Sequence, residues 1–321
     1  MRDADSLAVA VRAWCRRHAA TYRLDPSALT VTYVLNWGGF VNHSFHLSDG
    51  QRRYHLKLST DAEDQDALRR WFTHGATLEG YRAPVVIDWV EIDGAAGLLF
   101  PYLEGRVPEL TDEVVDEVLG ALANLWNDRS LAAALPRDQS LTAAQAFRES
   151  FHRRFLEDLA GIRVAPPPFV DAALIAWLDA EVASLADQVA NHAAFVEPLD
   201  QPVHGDLWLN NILWVDRTRW WLLDWDDLRI GDPAMDVAAF LGPTATDPTP
   251  LKRLERVHHL LSPGQRARLP LLGQATLLDW VIDPLSDWID ATTSPTHLLE
   301  VRAEKERVHR QALETYRQHV R

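Results

Sequence analysis

The apolar pattern of this chain turns from mostly strand-like to largely helical near Gly105, and that change limits the folds open to it. Before it, short β-rich runs alternate with turns. Thr30 to Leu35 is followed by the turn Asn36-Trp37-Gly38-Gly39-Phe40. Val41 to Leu47 is a second run, Ser48-Asp49-Gly50-Gln51 a second turn, and Arg53 to Leu58 a third run. Alternating side chains bounded by Gly, Asn, Asp and Ser mark half-buried strands. Pro84 to Val90 and Gly97 to Leu103 read as two more strands, separated by the turn Asp93-Gly94. Helices are expected over 5–20, where Leu7, Val11, Trp14 and Cys15 share a face below a possible Asp5 cap, and over 61–73. Beyond Gly105 the apolar spacing is three to four, over 112–127, 142–160, 170–190 and 250–262, with Pro166-Pro167-Pro168 as a rigid break. A β hairpin, 212–215 with 220–223, interrupts the helices. The expected class is α+β: a small N-terminal antiparallel β lobe over 1–103 and a larger, mainly helical lobe over 104–321.

Composition narrows the partners. The net charge is −14, from 32 basic and 46 acidic side chains. A nucleic-acid backbone is therefore not the expected partner, since phosphate binding needs clustered Lys and Arg. A cationic small molecule is compatible with such a chain. Cys15 is the sole cysteine, which excludes an intramolecular disulfide and a cysteine metal cluster and fits a cytoplasmic compartment. No signal peptide is expected from the opening Met-Arg-Asp-Ala-Asp, and no window approaches the roughly 18 apolar residues of a membrane span. Oligomeric state is left open. Most of the thirteen tryptophans are expected in packing, with a few left to line an aromatic pocket.

The chemistry concentrates in His204-Gly205-Asp206-Leu207-Trp208-Leu209-Asn210-Asn211 and Leu222-Leu223-Asp224-Trp225. A carboxylate, then an amide, then a second carboxylate in this order suit phosphoryl transfer from ATP. Asp206 can orient or deprotonate an attacking hydroxyl; Asn211 and Asp224 can hold magnesium on the phosphates. Alone, each has an ordinary role as well: Asp206 as a loop aspartate, Asn211 as a turn former, Asp224 as a strand-end cap. Asp226 and Asp227 can replace or assist Asp224. His204 is expected to hold its loop by hydrogen bonds. Lys57, inside Tyr54-His55-Leu56-Lys57-Leu58, can point its ammonium at phosphates or merely guard a strand edge. The turn carrying Gly38 and Gly39, followed by Asn42 and Ser44, can bring backbone N–H groups to phosphates.

With these motifs in order, the chain resembles the aminoglycoside phosphotransferase and choline kinase-like family, relatives of the protein kinases, over residues 30 to 300. The His204–Asn211 stretch, Asp224 and Gly231-Asp232-Pro233-Ala234-Met235-Asp236 carry the resemblance. It implies a bilobal protein-kinase-like fold with ATP as phosphate donor and Mg2+ as cofactor. Asp206 would be the catalytic aspartate. Asn211 and Asp224 would bind magnesium, and Lys57 would pair with phosphates under the turn from Gly38 to Ser44. Pro101-Tyr102-Leu103 would read the base, and Asp232 and Asp236 would anchor the catalytic loop and the helix after it. Such kinases pair the lysine with a glutamate of the following helix, and here no residue is assigned: Glu63 is close in sequence, Glu79 follows a His-Gly break, and Asp64 and Asp66 are alternatives.

The acceptor is expected to be a small molecule bearing a hydroxyl, cationic or amino-bearing. Asp279, Asp283 and Asp287 are four apart, so a continuous helix aligns them, with Trp280 and Trp288 close to that face. Carboxylates and rings together suit an amine; a solvated acidic stripe over packed tryptophans is the ordinary alternative, and Pro284 is placed to break the helix. A sugar or ketosamine kinase is a second reading: His-Gly-Asp-Leu-Trp also suits fructosamine kinases, whereas Gly-Asp-Pro-Ala-Met-Asp departs from that group. A catalytically silent nucleotide-binding pseudokinase is a third.

Overall fold

The computed structural model describes residues 4–34, 42–136, 140–242, 256–291 and 298–320. Gly38 and Gly39, the centre of the expected phosphate-covering turn, lie outside these residues, as do 250–255 of the helix expected over 250–262. The chain divides into two compact units. The first is Met1–Ala121 with Leu209–Leu228, and the second is Leu122–Trp208 with Arg229–Arg321.

The first unit is built on a five-stranded antiparallel sheet of order β1-β2-β3-β5-β4: β1 Thr30–Val34, β2 His43–Ser48, β3 Arg53–Ser59, β4 Asp88–Ile92 and β5 Ala95–Pro101. Helix α1 (Ala4–Arg17) puts Leu7, Val11, Trp14 and Cys15 into one core with Phe45, Leu47, Leu56, Leu58, Val90 and Leu99. Strand alternation sends the intervening residues of β2 and β3 to the opposite face, where Ser44, His46, His55 and Lys57 line a cavity. Helix α2 (Ala62–Leu78) is capped by Asp61 and buries Leu68, Trp71, Gly75 and Leu78.

The strands on either side of Asp93-Gly94 differ in their bounds from expectation, Ala95–Pro101 against 97–103 for the fifth, for a local reason. The β4–β5 connection is a two-residue turn, Asp93 and Gly94, both with positive φ, so the strands run right up to it. The fourth strand thus covers Asp88–Ile92, not 84–90. Residues 84–87 stay irregular: Pro84 has no N–H to give, and Ile87 is held by one bond to Leu99 O at 2.8 Å.

The hairpin β7 (Ile212–Asp216) and β8 (Arg219–Leu222) joins this unit although it is remote in sequence. Backbone bonds explain why. Arg106 and Trp214 exchange two, at 3.0 and 2.8 Å, and Leu222 N donates to Arg82 O at 2.9 Å.

The chain enters the second unit within α3 (Asp112–Trp126). There α4 (Arg129–Ala134) and α5 (Ala143–Phe147) precede a π-helical turn at Arg148–His152, which passes into α6 (Arg153–Val164). The single helix expected over 142–160 is thus bulged at its middle. Helix α7 (Ala172–Asn191) follows, then β6 (Gln201–Val203), whose partner is β9 (Arg229–Gly231), and α8 (Pro233–Leu241). The largest elements are α9 (Pro263–Asp290) and α10 (Leu298–His319). Helix α9 contains Pro270 and Pro284 and still runs its full length. Its residues Leu272, Ala275, Leu278, Val281, Ile282 and Leu285 are all buried, and this packing outweighs the bonds the prolines remove. In the turn ahead of Pro284, His309 Nδ1 lies 2.8 Å from Val281 O. No helix among the described residues is long and apolar enough to cross a membrane.

Candidate active site

The first unit contains a cavity of about 510 Å³, lined from the sheet by Val34, Asn42, Ser44, His46, His55, Lys57 and Phe100. Pro101-Tyr102-Leu103 and then Gly105 line it after β5; Leu213, Asn211, Leu223 and Asp224 line it from the hairpin. Lys57 reaches it because Leu56 and Leu58, its neighbours in β3, are fully buried on the other face. Burying each leucine contributes roughly 2 kcal/mol, and the pair fixes the strand's rotation. Close strand approach helps. Gly97 faces β3 where a Cβ would sit 1.9 Å from Lys57 O, so only glycine lets β5 press there.

The ammonium of Lys57 is buried and paired twice. It donates to Asp224 Oδ1 and, at 2.5 Å, to Asp226 Oδ2. Asn42 Nδ2 donates to the same Asp226 oxygen at 3.0 Å. Burial opposes the lysine charge, but Asp224 and Asp226 outweigh it and raise its pKa. Burial also pushes Asp226 up to about 6, against the pull of Lys57 and with the push of Asp224. Asp226 Oδ1 and Asn42 Oδ1 are buried without a hydrogen-bond partner among the described residues. Helix α2 gives Lys57 an aromatic neighbour, the Trp71 ring at 5.8 Å. Glu63, Asp66 and Glu79 are exposed, and Asp64, though within the field of Lys57, bonds to Ser59 Oγ at 3.1 Å.

Asp224 has φ 63° and ψ 62°, a left-handed conformation that costs a non-glycine residue about 1 kcal/mol or more. The buried Trp225 holds this bend, with Nε1 donating to Leu222 O at 2.9 Å. Leu223 N donates to Asn211 O at 2.7 Å, which brings Asn211 and Asp224 to one wall of the cavity. Tyr102 N already donates to Arg53 O at 3.0 Å. Two lining histidines went unremarked in the sequence reading: His46 and His55 are cross-strand partners with ring centroids 5.5 Å apart. Burial lowers both pKa values, that of His55 to about 4. The alternation of β3 was the signal that could have found His55, which shares the face of Lys57.

In the second unit, β6 ends at Val203 and the chain turns through His204, Gly205 and Asp206. Gly205 has φ 89°, open to glycine at little cost. Asp236, on α8, ties this loop down: it accepts from His204 N at 3.1 Å, Gly205 N at 2.9 Å and Trp126 Nε1 at 3.0 Å. His204 is fully buried, and its Nδ1 accepts from Asp206 N at 3.4 Å. Asp232 caps α8 through Ala234 N at 3.0 Å and takes a two-pronged bond from Arg268, at 2.6 and 3.2 Å. Burial raises the Asp232 pKa, against Arg268, which lowers it.

The acidic face of α9 is continuous, and it comes with its own cations. Arg154 bonds Asp279 and reaches Asp283 at 3.5 Å; Lys305 bonds Asp287. Burial, then Asp279 and Asp287, push Asp283 up to about 8, although 40% of its side chain is exposed. Trp280 meets Trp208 edge to face, 5.3 Å between centroids. The Trp288 ring is covered by the Arg302 guanidinium at 4.0 Å.

Residues 32–271 match the model of a family described as the phosphotransferase enzyme family. No curated protein sequence matches the chain. Among solved structures, a choline kinase from Cryptosporidium parvum Iowa II is similar, with 14% identity, 96% of this chain and 95% of that one covered, and a TM-score of 0.60. An ethanolamine kinase from Plasmodium vivax gives 12%, 94% and 88%, and 0.56. A spectinomycin phosphotransferase, in complex with ADP and spectinomycin, gives 12%, 95% and 98%, and 0.57. At such identities the likeness carries the fold, which is protein-kinase-like with an N-terminal antiparallel sheet and a larger helical C-terminal part.

Proposed function

We propose that this chain, a member of the phosphotransferase enzyme family, moves the γ-phosphate of ATP to the hydroxyl of an amine-bearing small molecule. The cavity carries this reading. Lys57, Asn211 and Asp224 line the same 510 Å³ as Phe100, Tyr102, Leu213 and Leu223. A polar end with a fixed cation beside an apolar, aromatic end suits a nucleotide. Lys57 would pair with its phosphates. The Tyr102 N–H is engaged by Arg53, so the reading of the base falls to Leu103 and Glu104.

Asn211 and Asp224 are hard oxygen donors of the kind magnesium takes with phosphates completing its shell, and the ion would neutralise phosphate charge there. Asp206 acts as base from the loop that Asp236 ties down. The acceptor oxygen bonds to the γ-phosphorus as the bond from phosphorus to the β–γ bridging oxygen breaks. ADP leaves, and the hydroxyl proton passes to the Asp206 carboxylate.

An amine-bearing acceptor is supported by the similarity to a choline kinase and an ethanolamine kinase. It is supported too by α9. Asp158 and Asp283 are each repelled by Asp279 and Asp287 and drawn to Arg154, with Lys305 a second cation near Asp283, and Asp283 keeps exposed surface. Asp283 and Trp280 are the residues we assign to the amine; Trp288, already under Arg302, is set aside.

The test is magnesium-dependent ADP release from ATP, over amino alcohols, aminoglycosides and neutral sugars, with Asp206→Ala as control. Stimulation by an amine-bearing class that the variant loses supports the reading. Stimulation by neutral sugars alone would move the acceptor to the sugar or ketosamine class, and nucleotide binding without turnover on any acceptor would leave a silent pseudokinase.

A further inference from the structure

Lys57 has two carboxylate partners, and the function proposed above needs one of them elsewhere. Asp224 is assigned to the metal, so its bond to Lys57 weakens once it turns to that task. A buried ammonium left without a partner is strongly disfavoured. Helix α2 offers no replacement among the described residues. It sets the Trp71 ring 5.8 Å from the ammonium, Asp64 is bonded to Ser59, and Glu63, Asp66 and Glu79 are exposed. What α2 does supply is a cation: Arg70 Nη2 donates to the Asp226 carbonyl at 3.0 Å and pins the turn after β8.

We propose that Asp226 is the positioning residue of Lys57, holding the ammonium in the cavity while Asp224 serves the metal. This rests on reading the cavity as a nucleotide site. Asp226 is built for the task. Its Oδ2 accepts from both Lys57 and Asn42, so its carboxylate is fixed at two points, and its backbone is fixed by Arg70. Its Oδ1 is buried and has no partner among the described residues, which leaves acceptor capacity when the ammonium shifts. The assignment answers why α2 can place a tryptophan beside the lysine.

The experiment uses the full chain. Asp226→Asn keeps the shape and removes the charge. Its kcat is expected to fall about thirtyfold while KM for ATP stays within about threefold, the mark of orientation lost in the transition state. Asp226→Glu is expected to recover most of the loss. A second readout needs no turnover: site-resolved acylation of Lys57 by an amine-reactive ester, read by mass spectrometry. In an Asp224→Asn background, which mimics the engaged Asp224, adding Asp226→Asn is expected to speed acylation about tenfold, because the ammonium has lost its last carboxylate.

Unchanged kcat and unchanged acylation on removing the Asp226 charge would overturn the assignment. So would a loss that tracks a fall in melting temperature and that Asp226→Glu does not recover, since that marks a merely structural carboxylate. Lys57→Met separates the two claims. If it is as active as the parent, the nucleotide reading itself fails; if it is inactive while Asp226→Asn is normal, only the present inference fails.

Discussion

The two units each bury a charged network, and the networks are built differently. In the second unit Arg268 is almost wholly enclosed, with 1% of its side chain exposed. It donates to Asp232 twice, to Glu197 Oε2 at 2.8 Å and to Ala194 O at 2.7 Å. In the first unit Lys57 is shared by two carboxylates that keep 35% and 20% of their side-chain surface, and it borders a cavity. Buried oxygens of Asp226 and Asn42 there lack partners among the described residues. A closed network serves to hold the fold, because every desolvated group is repaid locally. An open one keeps capacity for something that arrives later, and its cost is carried by the packing of Leu56 and Leu58 behind it.

Lys57→Met should lower turnover by about two to three orders of magnitude, as loss of a preorganised charge at phosphate does. Its melting temperature should fall less than that of Arg268→Met, since Asp224 and Asp226 keep 35% and 20% of their side-chain surface while Asp232 keeps 2%; an equal thermal loss would make Lys57 structural. Arg268→Met should do the reverse. It leaves Asp232 buried and unpaired, which costs about 3 kcal/mol or more. Calorimetry should show the drop, with kcat per folded molecule nearly unchanged.

A smaller effect concerns pH. The folded-state pKa of Asp283, about 8, lies above the ordinary carboxylate value near 4 of the unfolded chain. The folded state therefore holds this proton more tightly, and this group's contribution falls as pH rises from about 4 to about 8. Asp283→Asn should flatten that decline, raising the melting temperature at pH 8 more than at pH 5. A steeper decline in the variant would contradict the assigned environment. The smallest effect is at Trp280. Replacing it with Phe should raise KM for an amine acceptor severalfold, about 1 kcal/mol of cation–π contact, and leave KM for ATP alone.

Much of this was legible in the chain. The β hairpin at 212–222 and the cross-strand order of β1 to β3 follow from alternation and turn residues, which act over a few positions. Asp236 could be named because His-Gly-Asp and Gly-Asp-Pro stand in a familiar order. What α2 contributes beside Lys57 could not be read. It depends on which face of a helix meets which turn, and Trp71 and Arg70 settle that through packing between segments over 150 residues apart. The pairing of Asp279 and Asp283 with Arg154 was hidden for the same reason: period shows that the acids share a face but not what lies across from it. Pro284 misled because a proline's local cost is visible in sequence and the burial that offsets it is not.

The most direct measurement is calorimetric titration of magnesium and ADP into the parent protein, Lys57→Met and Arg268→Met, each well below its melting temperature. The account predicts binding to the parent, loss of about tenfold or more in affinity for Lys57→Met, and near-parental affinity for Arg268→Met. Equal affinity in the parent and Lys57→Met, or an equal loss in both variants, would contradict it.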